Sequence, residues 1–179
     1  MALRLHHRHA WNVSPAAARR IQERLRKHTI QHDQLGAIRL IAGVDASYDQ
    51  ARQLARAAVV VFQFPSLTLL EQIVVQRALT FPYVPGLLSF RELPVVLAAL
   101  RQLRHPPDLI LCDGQGIAHP RRMGVATHLG ILTDLPTIGV AKTRLIGEHG
   151  RVPGRKGRWA PLVDNDEVIG AVLRTRRAI

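Results

Sequence analysis

PDLILCDGQGIAHPRRMGVATHLGILTDLPTIGVAKTRL, residues 107–145, holds two short apolar runs separated by a glycine-rich turn and a helical pattern. Leu109-Ile110-Leu111-Cys112 is too short for a helix and too apolar for a surface strand, so it predicts a central strand buried on both faces. Asp113 ends that strand. Gly114 and Gly116 follow, removing Cβ atoms where the chain must turn sharply or let another backbone approach. A helical pattern covers Arg121 to Leu132, and Thr137 to Ala141 predicts a second buried strand that delivers Lys142 to the same edge. A carboxylate at the C-terminal end of a buried strand, ahead of a glycine turn, stands where open α/β sheets place ligand chemistry.

The rest of the chain supplies the sheet. With 179 residues and 47% apolar content, one domain with a substantial core is expected. Ser14-Pro15 reads as an N-cap and first helical residue, opening a helix to about Thr29 with Ala18, Ile21, Leu25 and His28 along one stripe. The arginines of that helix either touch a phosphate backbone or are merely solvated. Ile38–Ser47, Ala57–Phe64 and Leu69–Leu79 predict three strands in an antiparallel meander. Residues 81–86, FPYVPG, predict a turn, and Ser89 is expected to cap a helix from Phe90 to about Arg104. Joined to the two later strands in parallel, the meander gives an α/β fold with a mixed sheet of order 3-2-1-4-5 flanked by helices. Gly147 to Gly157 is loose and basic, either a phosphate-contacting loop or an idle one, and strands at about Trp159–Val163 and Val168–Thr175 follow. Residues 1–13, with His6, His7 and His9 near Trp11, read as a polar, solvated tail.

Lys and Arg number 25 against 13 Asp and Glu, a net charge of +12 with a pI near 11.5, which favours a polyanionic partner such as nucleic acid. The single cysteine, Cys112, rules out an internal disulfide framework and reads as a small buried hydrophobe; a cytoplasmic monomer is expected. No apolar run approaches the roughly 18 residues of a membrane span.

Three acids stand in marked places: Asp45 inside a core strand, Glu92 at a helix start and Asp113 at a strand end. Taken alone, Glu92 reads as a charge complementing the helix dipole, worth roughly 0.3–1 kcal/mol. In the 3-2-1-4-5 sheet the Asp45 and Asp113 strands are neighbours and Glu92 reaches over both. Converging carboxylates repel unless cations neutralise them, and all-oxygen donors suit Mg²⁺ or Mn²⁺ in phosphodiester hydrolysis. Lys142 then adds a fixed positive charge beside the scissile phosphate.

The wording of four motifs is more specific than their spacing. GVDAS at 43–47, FPYVPGLLSFRE at 81–92, DGQGIAHPRRMGVATHLG at 113–130 and PTIGVAK at 136–142 together resemble the endonuclease V family. The resemblance runs from about Trp11 to Thr175. It implies a ribonuclease-H-like fold and a Mg²⁺-dependent DNA-repair enzyme that nicks at the second phosphodiester bond 3′ of a deaminated adenine, on DNA and in some relatives on inosine-containing RNA. It implies metal ligation by Asp45, Glu92 and Asp113, and a wedge role for Tyr83 in PYVP, where a proline-flanked aromatic fills the gap left by an extruded base. Gly86, Leu88, Gly114 and Gly124 fall where the family shapes a hypoxanthine pocket, largely with backbone groups. His119, Arg121 and Arg122 are expected to contact phosphates; a structural hydrogen-bonding role for His119 reads equally well. Family members continue past the last strand with an S-P-G-H motif, whose His joins the metal site, and a terminal helix. Their absence here implies a C-terminally truncated catalytic domain at 14–179 with weak activity, or alternatively a module that binds inosine-containing nucleic acid without cutting it.

Overall fold

The computed structural model describes residues 3–177. Strands β1 (Leu40–Asp49), β2 (Leu54–Gln63), β3 (Thr68–Ala78), β4 (Leu109–Asp113) and β5 (Thr137–Val140) form one sheet in the order β3-β2-β1-β4-β5. The first three pair antiparallel as a meander, and β1, β4 and β5 run parallel. This is the order expected from the sequence. Helices α1 (Pro15–Leu25), α2 (Leu88–Leu100) and α3 (Val125–Thr133) complete the layer, and β6 (Trp159–Asp164) and β7 (Glu167–Leu173) form a separate hairpin.

The main core lies between the sheet and α2 with α3. Ala42 and Val44 of β1, Val59 and Val61 of β2, and Ile110 and Cys112 of β4 pack there against Leu93, Val96, Leu97 and Leu129. Strand alternation sends Ile41, Gly43 and Leu111 to the other face, where they line an apolar hollow of about 250 Å³ with Phe62 and Leu67. Leu109 and Leu111 are therefore only half-buried, so the expectation of a strand buried on both faces is corrected: among the described residues the helices cover one face.

Two further expectations change. Ser14 caps α1 as read, its Oγ accepting from the Ala17 amide at 3.3 Å. Ser89 does not cap α2, which begins one residue before it; its hydroxyl instead meets His128 Nδ1 at 3.0 Å. Residues 3–13 are not a solvated tail. Leu3, Leu5, Trp11 and Val13 pack on the core, and the His6 amide donates to the Leu132 carbonyl at 2.8 Å. The spacing of those apolar residues makes the segment a strap, with its charged side chains on the outer side.

Candidate active site

Val44 pairs with Cys112 in parallel register, so Asp45 and Asp113 come next on neighbouring strands at the C-terminal edge of the sheet. Register alone turns both to the face away from Val44 and Cys112. Asp45 is exposed, which corrects the expectation of a carboxylate enclosed in the core: β4 ends there, and water reaches the edge. Its Oδ1 accepts from the Ala46 amide at 2.7 Å. Lys142 arrives after β5 and donates from Nζ to Asp113 Oδ2 at 2.7 Å, a bond that holds its ammonium charged beyond the usual range.

Glu92 comes from the helix side. α2 starts at Leu88, earlier than expected, so Glu92 lies beyond the first turn and the dipole reading gives way. It is 8% exposed. Burial pushes its carboxyl up to about 7; the Tyr48 hydrogen bond opposes this, and the charges of Asp45 and Asp113 add to it. The charges of Asp45 and Asp113 thus reach Glu92. Among the described residues, however, no group of three or more His, Cys, Asp or Glu side chains is placed to hold a metal ion, so the expected convergence of the three acids on one ion is not closed here. Tyr48 Oη donates to Glu92 Oε1 at 2.8 Å, and the Arg91 guanidinium lies 4.5 Å from the Tyr48 ring centroid. Burial, then Glu92, raise the Tyr48 hydroxyl, which therefore stays a donor. Neither Tyr48 nor Arg91 was singled out from sequence. Tyr48 lies three residues beyond Asp45 on the core-facing side of β1, a place that alternation alone could have marked.

A second group of residues flanks this edge. Phe81 and Leu87 are buried with Phe90, anchoring the 81–87 loop, while Tyr83 between its prolines is 69% exposed. Gly86 adopts φ +75°. Gly124 packs so closely on the Gln115 and Gly116 carbonyls that any Cβ would collide with them, and its amide donates to Gly116 O at 3.0 Å. Gly139, not anticipated, closes on the same turn from β5. Gly114 sits in that turn with φ +131°, and Leu88 opens α2, half-buried against the core.

The three residues read as phosphate contacts are engaged within the protein. Arg121 donates from Nε to Gln22 Oε1 at 2.6 Å and from Nη2 to Gly86 O at 2.7 Å. Arg122 donates to Glu167 at 2.7 Å and Asp164 at 2.8 Å, tying the β6–β7 hairpin to this loop. His119 Nδ1 accepts from the Arg121 amide, so Nε2 carries the proton and donates to Gly86 O at 3.1 Å. Burial, with Arg121 beside it, pushes His119 down to about 4, which keeps the ring neutral. Gln22, also unforeseen, is a buried amide on α1.

The endonuclease V sequence model matches residues 19–179. An endonuclease V from Roseiflexus castenholzii is 55% identical over 171 residues, covering 96% of this chain and 76% of the relative. One from Rippkaea orientalis is 54% identical over 162 residues, covering 90% and 71%. The crystal structure of the Streptomyces avermitilis endonuclease V superposes with a TM-score of 0.89 at 40% identity, over 100% of this chain and 78% of that one. The Ciona intestinalis endonuclease V, in complex with a 24mer DNA containing an inosine followed by a ribo-adenosine, gives a TM-score of 0.68 at 34% identity over 74% and 59%. With the sheet order, the acids at its edge and these likenesses in agreement, the chain belongs to the endonuclease V family.

Proposed function

We propose that this protein is a divalent-metal-dependent endonuclease that hydrolyses the second phosphodiester bond 3′ to a deoxyinosine in DNA, with inosine-containing RNA as a further substrate. The observation that carries this reading is the placement of Asp45 and Asp113 on neighbouring strands at the C-terminal edge of the sheet, with Lys142 bound to Asp113. Glu92 is near enough that both aspartate charges add to the burial that raises its carboxyl to about 7. The donor chemistry suits Mg²⁺ or Mn²⁺, since all three side chains are hard oxygen ligands. Holding one ion together would draw Glu92 toward the two aspartates, because among the described residues no three such side chains stand close enough to share it. When bound by them, such an ion supplies an activated water and neutralises charge developing on the phosphate.

The protein's own groups account for the rest. Tyr48 fixes one oxygen of Glu92, leaving the other for ligation. Lys142, mostly exposed, can exchange Asp113 for a phosphate oxygen. Tyr83, proud of the surface, fills the space left by an extruded base. Gly86, Leu88, Gly114 and Gly124 shape the base pocket. With the Gly114 and Gly124 amides engaged on the Val140 and Gly116 carbonyls, the N–H that selects the 6-oxygen of hypoxanthine over adenine is assigned to the Gly86–Leu88 segment. His119, Arg121 and Arg122 brace the loops that carry these groups.

A second reading, a module that binds inosine-containing nucleic acid without cutting it, is favoured by one observation: the Lys142 ammonium already neutralises Asp113. End-labelled inosine duplexes incubated with Mg²⁺ or Mn²⁺ separate the two. The expected result is a single nick, abolished by EDTA and reduced at least about 100-fold in Asp113→Asn, with duplex binding retained. Binding without nicking in either metal supports the second reading; full nicking by the Asp113 variant overturns the first.

A further inference from the structure

Among the residues of α1, Gln22 stands out as the buried polar one, 1% exposed. Burying an amide is unfavourable unless its hydrogen-bonding groups are matched. Here they are matched across two loops. Nε2 donates to the Gly86 carbonyl at 3.1 Å and to the Met123 carbonyl at 3.2 Å, while Oε1 accepts from Arg121 Nε at 2.6 Å. The amide cannot be flipped, because both Nε2 partners are acceptors and the Oε1 partner is a donor.

The consequence lies in what those carbonyls belong to. Gly86 O also receives Arg121 Nη2 and His119 Nε2, so three donors crowd one acceptor and hold its peptide plane. The Met123 carbonyl shares its peptide unit with the Gly124 amide, which donates to Gly116 O. One side chain therefore spans from the loop that follows Tyr83 to the turn that follows Asp113. Those two segments carry Gly86 and Gly124, which the functional reading assigns to the base pocket. The bridge is stiff: its helix is anchored by Ala18 and Leu25, both buried.

We propose that Gln22 is a positioning residue that sets the width of the base pocket, and thereby the discrimination of hypoxanthine from bulkier or differently substituted bases. The inference rests on the base-pocket part of the functional reading and goes beyond it to α1, which carries no catalytic group. It acts through main-chain carbonyls, so its effect falls on base selection and not on general affinity for the phosphate backbone.

Two variants separate this from a role confined to holding Arg121. Gln22→Glu keeps an oxygen for Arg121 but sets a second oxygen against the Gly86 and Met123 carbonyls. Gln22→Leu keeps the volume and removes all three bonds. Binding of otherwise identical duplexes with inosine, guanosine or adenosine at one position is measured for the wild type and both variants, with thermal midpoints and near-ultraviolet circular dichroism as a check of folding. In both variants the preference for inosine is expected to fall at least 10-fold, with affinity for the inosine-free duplexes changed less than 2-fold. Should Gln22→Leu fail to fold, Gln22→Glu carries the comparison. A wild-type preference retained by folded Gln22→Glu overturns the inference and leaves only the Arg121 role. A wild-type protein that does not prefer inosine overturns the functional reading itself, and the inference with it.

Discussion

Glu92 and its partner Tyr48 show how one hydrogen bond tunes a buried carboxylate. A donor to the charged form stabilises that form and lowers the pKa, opposing burial and the repulsion from Asp45 and Asp113. Tyr48→Phe removes the donor while keeping the ring under Arg91. In metal-free protein, carbon-detected NMR titration of the Glu92 carboxyl should then show a midpoint above the wild-type value of about 7. A midpoint unchanged or lower would mean that the hydroxyl does not hold the carboxylate. At this scale the sequence marks the three acids as candidates through their places in strands and a helix. It leaves Tyr48 and Gln22 unmarked because a tyrosine in a strand and a glutamine in an arginine-rich helix look ordinary until a partner 44 or 64 residues away is brought to them.

Elements are held together here by polar contacts as much as by core packing. The strap is pinned by a directional chain. His9 Nδ1 faces the Ala10 carbonyl at 2.8 Å and must donate, so His9 Nε2 accepts from His128 Nε2 at 2.8 Å and His128 Nδ1 accepts from the Ser89 hydroxyl. Every member is neutral. Burial, then His9, push His128 down to about 3 from an ordinary 6.5. A folded-state value below the unfolded one means the contribution is complete above about pH 6.5 and is lost as pH falls toward 3. Near 1.4 kcal/mol per pH unit, the loss at pH 5 is about 2 kcal/mol. Urea unfolding at pH 7 and pH 5 should show that decrease, and His128→Gln should shrink it. The β6–β7 hairpin depends in turn on Arg122, whose guanidinium bridges Asp164 and Glu167. Arg122→Ala should raise hydrogen exchange in residues 159–173 and leave the five-stranded sheet protected. Solvent screens the pairs, since Glu167 is 41% exposed, so the stability loss is only about 1 kcal/mol.

For the whole molecule, the net charge of +12 makes association with a polyanion depend on counterion release. The slope of log affinity against log salt on a duplex should be about −0.9 for each phosphate contacted. With Arg121 and Arg122 engaged internally, neutralising them should weaken loop order more than it flattens that slope. A slope near zero would remove nucleic acid from the list of partners.

Periodicity and motif wording determined the mixed sheet, its 3-2-1-4-5 order, the two marked strand ends and the glycine turn, because alternation and turn chemistry act between residues close in sequence. The tertiary structure alone decided that Asp45 is open to water, that residues 3–13 form a strap, that Ser89 faces His128 and not a helix end, and that the expected phosphate arginines brace loops. Each of these depends on which groups meet across long separations, and a buried donor or acceptor takes the partner that the packed fold brings within about 3 Å.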